Sequence, residues 1–227
     1  MGDVGDVWFA ALQQTAGRGR RGRPWETAHG NLAASLLLVP DADPAVAATL
    51  GFVAGVALNR ALLEVVPQDV AGIALKWPND VLADGAKLAG ILLEAQKRPN
   101  GPMAIVVGFG VNIVAAPQDL PYPATSLSAL GVEASAETVL AALGESWVDC
   151  IGAWDSGRGV AGILELWRGA AAGIGAEVAV DRDGDIVRGV FETIDDTGRL
   201  IVRTNDNQRI AITAGDVHFG ATATISA

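Results

Sequence analysis

The chain has 227 residues, half of them hydrophobic and 19% charged, with a formal net charge of −10. That length suits one substantial domain or a domain and a half, and the composition is globular rather than disordered. The negative balance argues against DNA or RNA as the partner of the whole surface, and a single cysteine, Cys150, excludes an internal disulfide framework. Cys150 lies in Trp147-Val148-Asp149-Cys150-Ile151 and reads as a small buried apolar residue. No basic n-region with an apolar core and cleavage site opens the chain. The apolar stretch Val46–Val66 comes nearest to a membrane span, but it carries Asn59, Arg60 and Glu64 and reads as a buried helix. A cytoplasmic protein without membrane attachment is expected.

Val7 to Gln13 is a short apolar run that predicts a strand, with no evident partner before it. It feeds Gly17-Arg18-Gly19-Arg20-Arg21-Gly22-Arg23, followed by Pro24 and Trp25; four of the sixteen Lys+Arg lie in those seven residues. Glycines let backbone N–H groups approach an anion, and arginine forks match phosphate or carboxylate oxygens. Nothing there favours a helix or strand, so a loop that is mobile when empty is expected. Taken alone, the run suits an RNA-binding segment as well as a small-anion site.

Asn31–Val39 predicts a second strand, broken by Pro40-Asp41-Ala42-Asp43-Pro44. Asp43 is placed to cap a helix with Pro44 at its first position, and apolar spacing from Leu50 to Val65 predicts one amphipathic helix over 44–65. Gly72–Trp77 and Val81–Ala83 predict strands around Pro78-Asn79-Asp80. Asp84-Gly85 predicts a hairpin turn, Lys87–Gln96 the returning strand, Pro99–Pro102 a turn and Met103–Ile113 another strand, giving an antiparallel meander over 72–113. A proline-marked loop covers 114–128, helices are predicted over 136–154 and 159–171, and glycines at 173 and 175 mark a linker. From Glu177 onward, short strands alternate with acidic turns and predict a small antiparallel barrel. Those acidic turns lack the ligand spacing of a calcium site. His29 and His218 stand alone in the sequence, which assigns neither a metal nor catalysis, and Lys76 reads as a strand-end surface lysine.

Four stretches occur in order: Gln14-Thr15-Ala16-Gly17-Arg18-Gly19-Arg20-Arg21-Gly22-Arg23, Lys76-Trp77-Pro78-Asn79-Asp80, Lys87-Leu88-Ala89-Gly90-Ile91-Leu92 and Gly108-Phe109-Gly110-Val111-Asn112. Together they resemble the biotin protein ligase family, the biotin–[acetyl-CoA-carboxylase] ligases, from about Val7 to about Phe219. The resemblance implies an α+β fold: a mixed, mainly antiparallel sheet packed by helices, like a class II synthetase, over 1–173. It also implies a small C-terminal β-barrel of the Src-homology-3 type over 174–227. It implies activation of biotin by Mg²⁺-ATP to biotinyl-5′-AMP, then transfer to a lysine of a biotin carboxyl carrier domain of an acyl-CoA carboxylase.

By motif position the resemblance assigns Gln14, Gly17, Arg18, Gly19, Arg20, Lys87 and Gly90 to biotin. It assigns Arg18, Arg20, Arg21, Trp25, Asn79, Asp80 and Asn112 to ATP, with Asp80 also toward Mg²⁺ and Lys87 with Arg18 catalytic. The chemistry is consistent: a carboxylate and a triphosphate repel, and concentrated positive charge brings them together. A loop closing over the mixed anhydride would keep water out.

The resemblance also has departures. The family's catalytic domain normally begins with a strand and helix carrying Ser-Thr-Asn, and no such motif precedes Gln14. Weakened biotin affinity or absent activity is the expectation from that difference, and a non-catalytic ligase-like protein holding a carrier domain or adenylate is the alternative it raises. A lipoate-attaching ligase is a further alternative, opposed by the Gly/Arg loop and the C-terminal barrel. No helix-turn-helix segment is recognisable, so no DNA binding is expected. The family includes monomers and dimers, which leaves a two-fold homodimer open.

Overall fold

The computed structural model describes residues 7–97 and 103–219. In chain order its elements are β1 (Val7–Ala11), β2 (Leu32–Leu38), α1 (Pro44–Ala47), α2 (Leu50–Val65), β3 (Ile73–Lys76), β4 (Asp80–Ala83), β5 (Ala86–Gln96) and β6 (Ala104–Val111). These are followed by α3 (Ala136–Trp154), α4 (Val160–Gly169), β7 (Glu177–Arg182), β8 (Asp185–Ile194), β9 (Leu200–Arg203), β10 (Arg209–Ile212) and β11 (Asp216–Phe219). The turn expected at 99–102 lies outside the described residues.

β1 to β6 form one sheet in the order β1-β2-β6-β5-β4-β3. Among the described residues every ladder in it is antiparallel, in keeping with the mainly antiparallel sheet packed by helices that the sequence implies, and the parallel pairings are isolated bridges at Leu75–Ala171 and Lys87–Ala124. β1 finds its partner in β2, with Phe9 opposite Ser35. Asp84 (φ 46°) and Gly85 (φ 83°) both take left-handed backbone, as a tight hairpin turn between β4 and β5 requires.

Side chains alternate across the sheet, and the two faces differ in kind. On one face Trp8 stacks on Phe109 with ring centroids 5.6 Å apart, and both meet Trp147 of α3 edge-on. Such pairs contribute roughly 0.5–1.5 kcal/mol each beyond burial, which ties edge strand β1 to the helical layer. On the opposite face, the neighbours of Phe109 are Gly108 and Gly110, which leave space for the site.

α2 and α3 pack on each other and on this helical side, with Val53, Leu58 and Leu62 of α2 and Trp147 of α3 buried in a continuous core. Residues 44–65 have the length and hydropathy of a membrane span, and 67% of an apolar 18-residue stretch within them is buried inside the protein. The single helix expected over 44–65 is two. Thr49 breaks it: its hydroxyl donates to Val46 O at 2.6 Å and accepts from Trp154 Nε1 at 2.8 Å, pinning the kink to the end of α3. Pro44 does open α1, but the Asp43 side chain makes no capping hydrogen bond; Ser135 does cap α3, accepting from Thr138 N.

The strands after 177 form a second antiparallel sheet in the order β10-β9-β8-β7-β11. Its end strands β10 and β11, four residues each, share no ladder among the described residues, so the expected barrel is here a sheet without closure. This sheet is docked on the first. Trp77 Nε1 donates to Gly198 O at 3.0 Å, the Phe52 ring lies against Gly198, and Arg168 Nε donates to Ile194 O at 3.0 Å.

Candidate active site

The basic stretch is a small hairpin. Trp25 N donates to Gly17 O at 3.0 Å and Gly19 N to Arg23 O at 2.7 Å, around a turn at Arg20–Gly22 in which Arg21 and Gly22 take positive φ. Gly17 is required by that closure, since a Cβ there would stand 2.3 Å from Trp25 O. Backbone hydrogen bonds give this loop its hairpin form, and side-chain contacts extend it.

The loop lies over the glycine face of the first sheet, and a cavity of about 660 Å³ opens between them. Trp25 rests on Gly90 and Gly110: a Cβ at 110 would fall 2.4 Å from the indole, and one at 90 would fall 3.1 Å from it. Lys87 enters from β5. Its Nζ is 2.7 Å from Asp80 Oδ1 and 5.5 Å from the ring centroids of both Trp25 and Tyr122. Asn79 Nδ2 donates to Ile91 O at 2.6 Å, and its Oδ1 accepts from Arg20 Nη1 at 3.2 Å, so the residue preceding β4 carries the loop's central arginine. Burial pushes the Arg20 guanidinium down from its ordinary value, with Asp216 and Asp80 opposing that shift.

Of the residues singled out from sequence, Gln14, Gly17, Arg18, Gly19, Arg20, Trp25, Asn79, Asp80, Lys87 and Gly90 all line this cavity. Two do not. Arg21 turns outward to Asp183 at 3.2 Å and Asp216 at 3.5 Å. Asn112 is buried, and its side chain donates to Thr125 O at 3.1 Å, away from the cavity. The structure therefore gives Asn112 a place behind the sheet end, joining β6 to the segment that carries Tyr122.

Three contributors were missed. Lys76, read as a surface lysine, lines the cavity; burial pushes its ammonium down from the ordinary value, Asp80 opposes that, and its Nζ lies 5.5 Å over the Phe219 ring. Tyr122 comes from a loop with no periodicity, brought in because Lys87 N donates to Pro123 O and Thr125 N donates to Lys87 O. β11 adds Asp216 and His218 as a wall from the second sheet. Behind these, buried Asn31 accepts through Oδ1 from Ile113 N and Val114 N, fixing the chain as it leaves β6.

An antiparallel sheet backed by helices thus carries a glycine-spaced arginine hairpin and a lysine–aspartate pair around one cavity. Residues 6–112 match the Biotin/lipoate A/B protein ligase family, and residues 173–220 match the Biotin protein ligase C terminal domain. The chain is 38% identical to a biotin–[acetyl-CoA-carboxylase] ligase of Paracoccus denitrificans over 95% of this chain and 91% of that one. It is 36% identical to the enzyme of the same name from Mycobacterium tuberculosis, over 95% of this chain and 79% of that one. Its fold superposes with a TM-score of 0.77 on the biotin protein ligase of Aquifex aeolicus in complex with biotin and ATP, covering 94% of this chain and 88% of that one at 24% identity. The chain belongs to the biotin protein ligase family.

Proposed function

We propose that this chain activates biotin with ATP and attaches it to a carrier protein. One observation carries the reading: the arginine hairpin and Lys87 converge on a single cavity large enough for two anionic substrates. In the first step a biotin carboxylate oxygen attacks the α-phosphorus of ATP, the bond to the bridging oxygen breaks, and pyrophosphate leaves. In the second, the neutral amine of an acceptor lysine attacks the acyl carbon of biotinyl-5′-AMP, an amide forms, AMP leaves and the amine gives up a proton.

Lys87 and Arg18 are the residues assigned to the reacting groups. The Lys87 ammonium, held between two aromatic rings and Asp80, offers a fixed positive charge where the carboxylate and α-phosphate meet and where charge builds in both steps. Arg18 and Arg20 present guanidinium forks to the phosphates, with Asn79 setting the orientation of Arg20. Backbone at Gly17 and Gly19 permits close approach, and Gln14 stands at the loop entrance. Trp25 closes over the ligand and excludes water from the anhydride.

Mg²⁺ fits this site as a cation carried by the nucleotide. Asp80 supplies a carboxylate at the cavity, and one carboxylate plus substrate phosphates is an ordinary magnesium environment. Asp80 would hold the ion, which when bound neutralises phosphate charge; Lys87 would then exchange its carboxylate partner for substrate oxygens. The acceptor in this reading is a biotin carboxyl carrier domain.

Purified protein is incubated with biotin, Mg-ATP and a carrier domain, and biotin on the carrier is scored by mass spectrometry, with pyrophosphate release measured in parallel. Transfer is expected for wild type and a loss of at least about 100-fold for Lys87→Gln, the scale of removing one group that stabilises developing charge. Transfer of lipoate in preference to biotin would instead support the lipoate ligase reading, and binding without pyrophosphate release would support a non-catalytic protein.

A further inference from the structure

The phosphate-facing hairpin is gripped from outside its own sheet. Arg23 Nη2 lies 2.5 Å from Asp216 Oδ2, and Arg21 reaches that same oxygen at 3.5 Å. Arg21 also pairs with Asp183 Oδ1 at 3.2 Å, and Arg20 Nη1 donates to Gly215 O at 3.5 Å. Three successive arginine side chains of the hairpin thus end on two turns of the second sheet, the β7–β8 turn and the entry to β11. Those turns are themselves fixed. Asp183 and Gly184 form a tight turn with positive φ, and a Cβ at Gly215 would meet Val180 Cγ1 at 2.7 Å, so the entry to β11 is packed on β7. Trp77 and Arg168 hold the second sheet on the first.

We propose that Asp216 is a positioning residue: with Asp183 it latches the 17–25 hairpin shut over the cavity through Arg23 and Arg21. The second sheet thereby sets how readily the cavity opens. Asp216 shares one carboxylate oxygen between two guanidinium groups, and its side chain is 29% exposed, so the latch is electrostatic and reachable by salt. An isolated exposed ion pair does little. Here the pairs share partners and join two separately folded surfaces, so their loss is felt in the hairpin's opening rather than in global unfolding. Arg18, Arg20 and Arg23 line the cavity, Arg23 while pairing with Asp216, and Arg21 is turned away from the cavity to the latch.

Limited trypsinolysis of the full chain without ligands tests this, because the hairpin carries its own cleavage sites at Arg18, Arg20 and Arg21. Trypsin does not cut the Arg23–Pro24 bond, so Arg23→Gln leaves every cleavable bond in the hairpin intact. Asp216→Asn and Arg23→Gln are each expected to speed hairpin cleavage about three- to tenfold, with unchanged melting temperature and a difference from wild type that shrinks in high salt. The double variant should cleave no faster than the faster single one, since both remove the same contact. Wild-type rates in both single variants, or a double variant whose rate is the product of the two factors, would overturn the latch.

The functional half rests on the ligase reading. Asp216→Asn should release biotinyl-adenylate about three- to tenfold faster than wild type, and equal release would remove any functional role for Asp216. A wild type that forms no adenylate while the variants still cleave faster would sink the ligase reading and leave the latch standing.

Discussion

Three glycines on one sheet face provide an internally controlled test of how Trp25 seats over the cavity. A Cβ placed on Gly108 meets Leu92 at 3.6–3.7 Å, an ordinary contact. At Gly90 it meets the Trp25 ring at 3.1 Å, and at Gly110 it meets three atoms of that ring at 2.4–2.5 Å. Leu92 and the backbone at 108 need not move. At 90 the indole must retreat by a few tenths of an ångström; at 110 it must retreat by about 1 Å. A radial gap of that size forfeits about a quarter to a half of the dispersion well of each contact along the ring. For a half-buried indole that is on the order of 1–2 kcal/mol of hairpin docking, or roughly 5- to 30-fold in the closed fraction. Because the ring sits on a loop and can swing away, global stability should hardly change. Gly108→Ala should behave as wild type in biotin transfer, Gly90→Ala should lose a few fold, and Gly110→Ala should lose at least about tenfold with a wild-type melting temperature. Equal activities in the three variants, or Gly108→Ala as the worst, would refute the seating of Trp25 on this face.

Two further outcomes follow from contacts between the sheets. Trp77→Phe removes the indole N–H that satisfies buried Gly198 O, which costs roughly 2 kcal/mol and should lower the melting temperature by about 4–8 °C; a scanning calorimetry trace within 1 °C or so of wild type would contradict it. His218 is held below its ordinary value of 6.5, first by burial and then by Lys76, against Asp216 and Asp181. The unfolded chain therefore takes up this proton first, so the stability due to neutral His218 is complete above pH 6.5 and declines as the pH falls through the native value. Urea unfolding between about pH 7.5 and pH 5 should show a shallower loss for His218→Asn than for wild type.

What could be read from the chain follows the range of the interactions. Asp84-Gly85 announced its turn because the residues that must take positive φ are adjacent. The arginine run, Asn79-Asp80 and Lys87 were legible because each motif keeps its chemistry within a few residues. Lys76 was misread: its spacing is that of any strand end, whereas in the fold it is half-buried, lines the cavity and lies over the Phe219 ring of β11. Asn112 is a motif position whose side chain the fold turns to Thr125, a partner that the motif does not record. The break at Thr49 depends on an indole 105 residues further on, and no local propensity records such a partner. Tyr122 enters through backbone hydrogen bonds to β5, which any sequence could make.

The charge of the site now has a physical account that the overall balance hides. The molecule is negative, yet the cavity is lined by Arg18, Arg20, Arg23, Lys76 and Lys87 against Asp80, Glu94 and Asp216. Burial first, and then the neighbouring cations Arg21 and Arg23 at Arg20 and Lys87 at Lys76, push these groups down, and Asp80 and Asp216 oppose both shifts. Asp80 pairs with Lys87, and Asp216 with Arg21 and Arg23, so these cations already have carboxylate partners within the protein. On the proposed ligase reading, substrate binding would be an exchange of partners in which phosphate and carboxylate oxygens replace Asp80 at Lys87. Removing Asp80 would then do more than strip one contact, because Lys76 and Lys87 would face each other with their shared carboxylate gone. Lys76 thus feels both members of the Lys87–Asp80 pair, and a substitution at either is felt at Lys76.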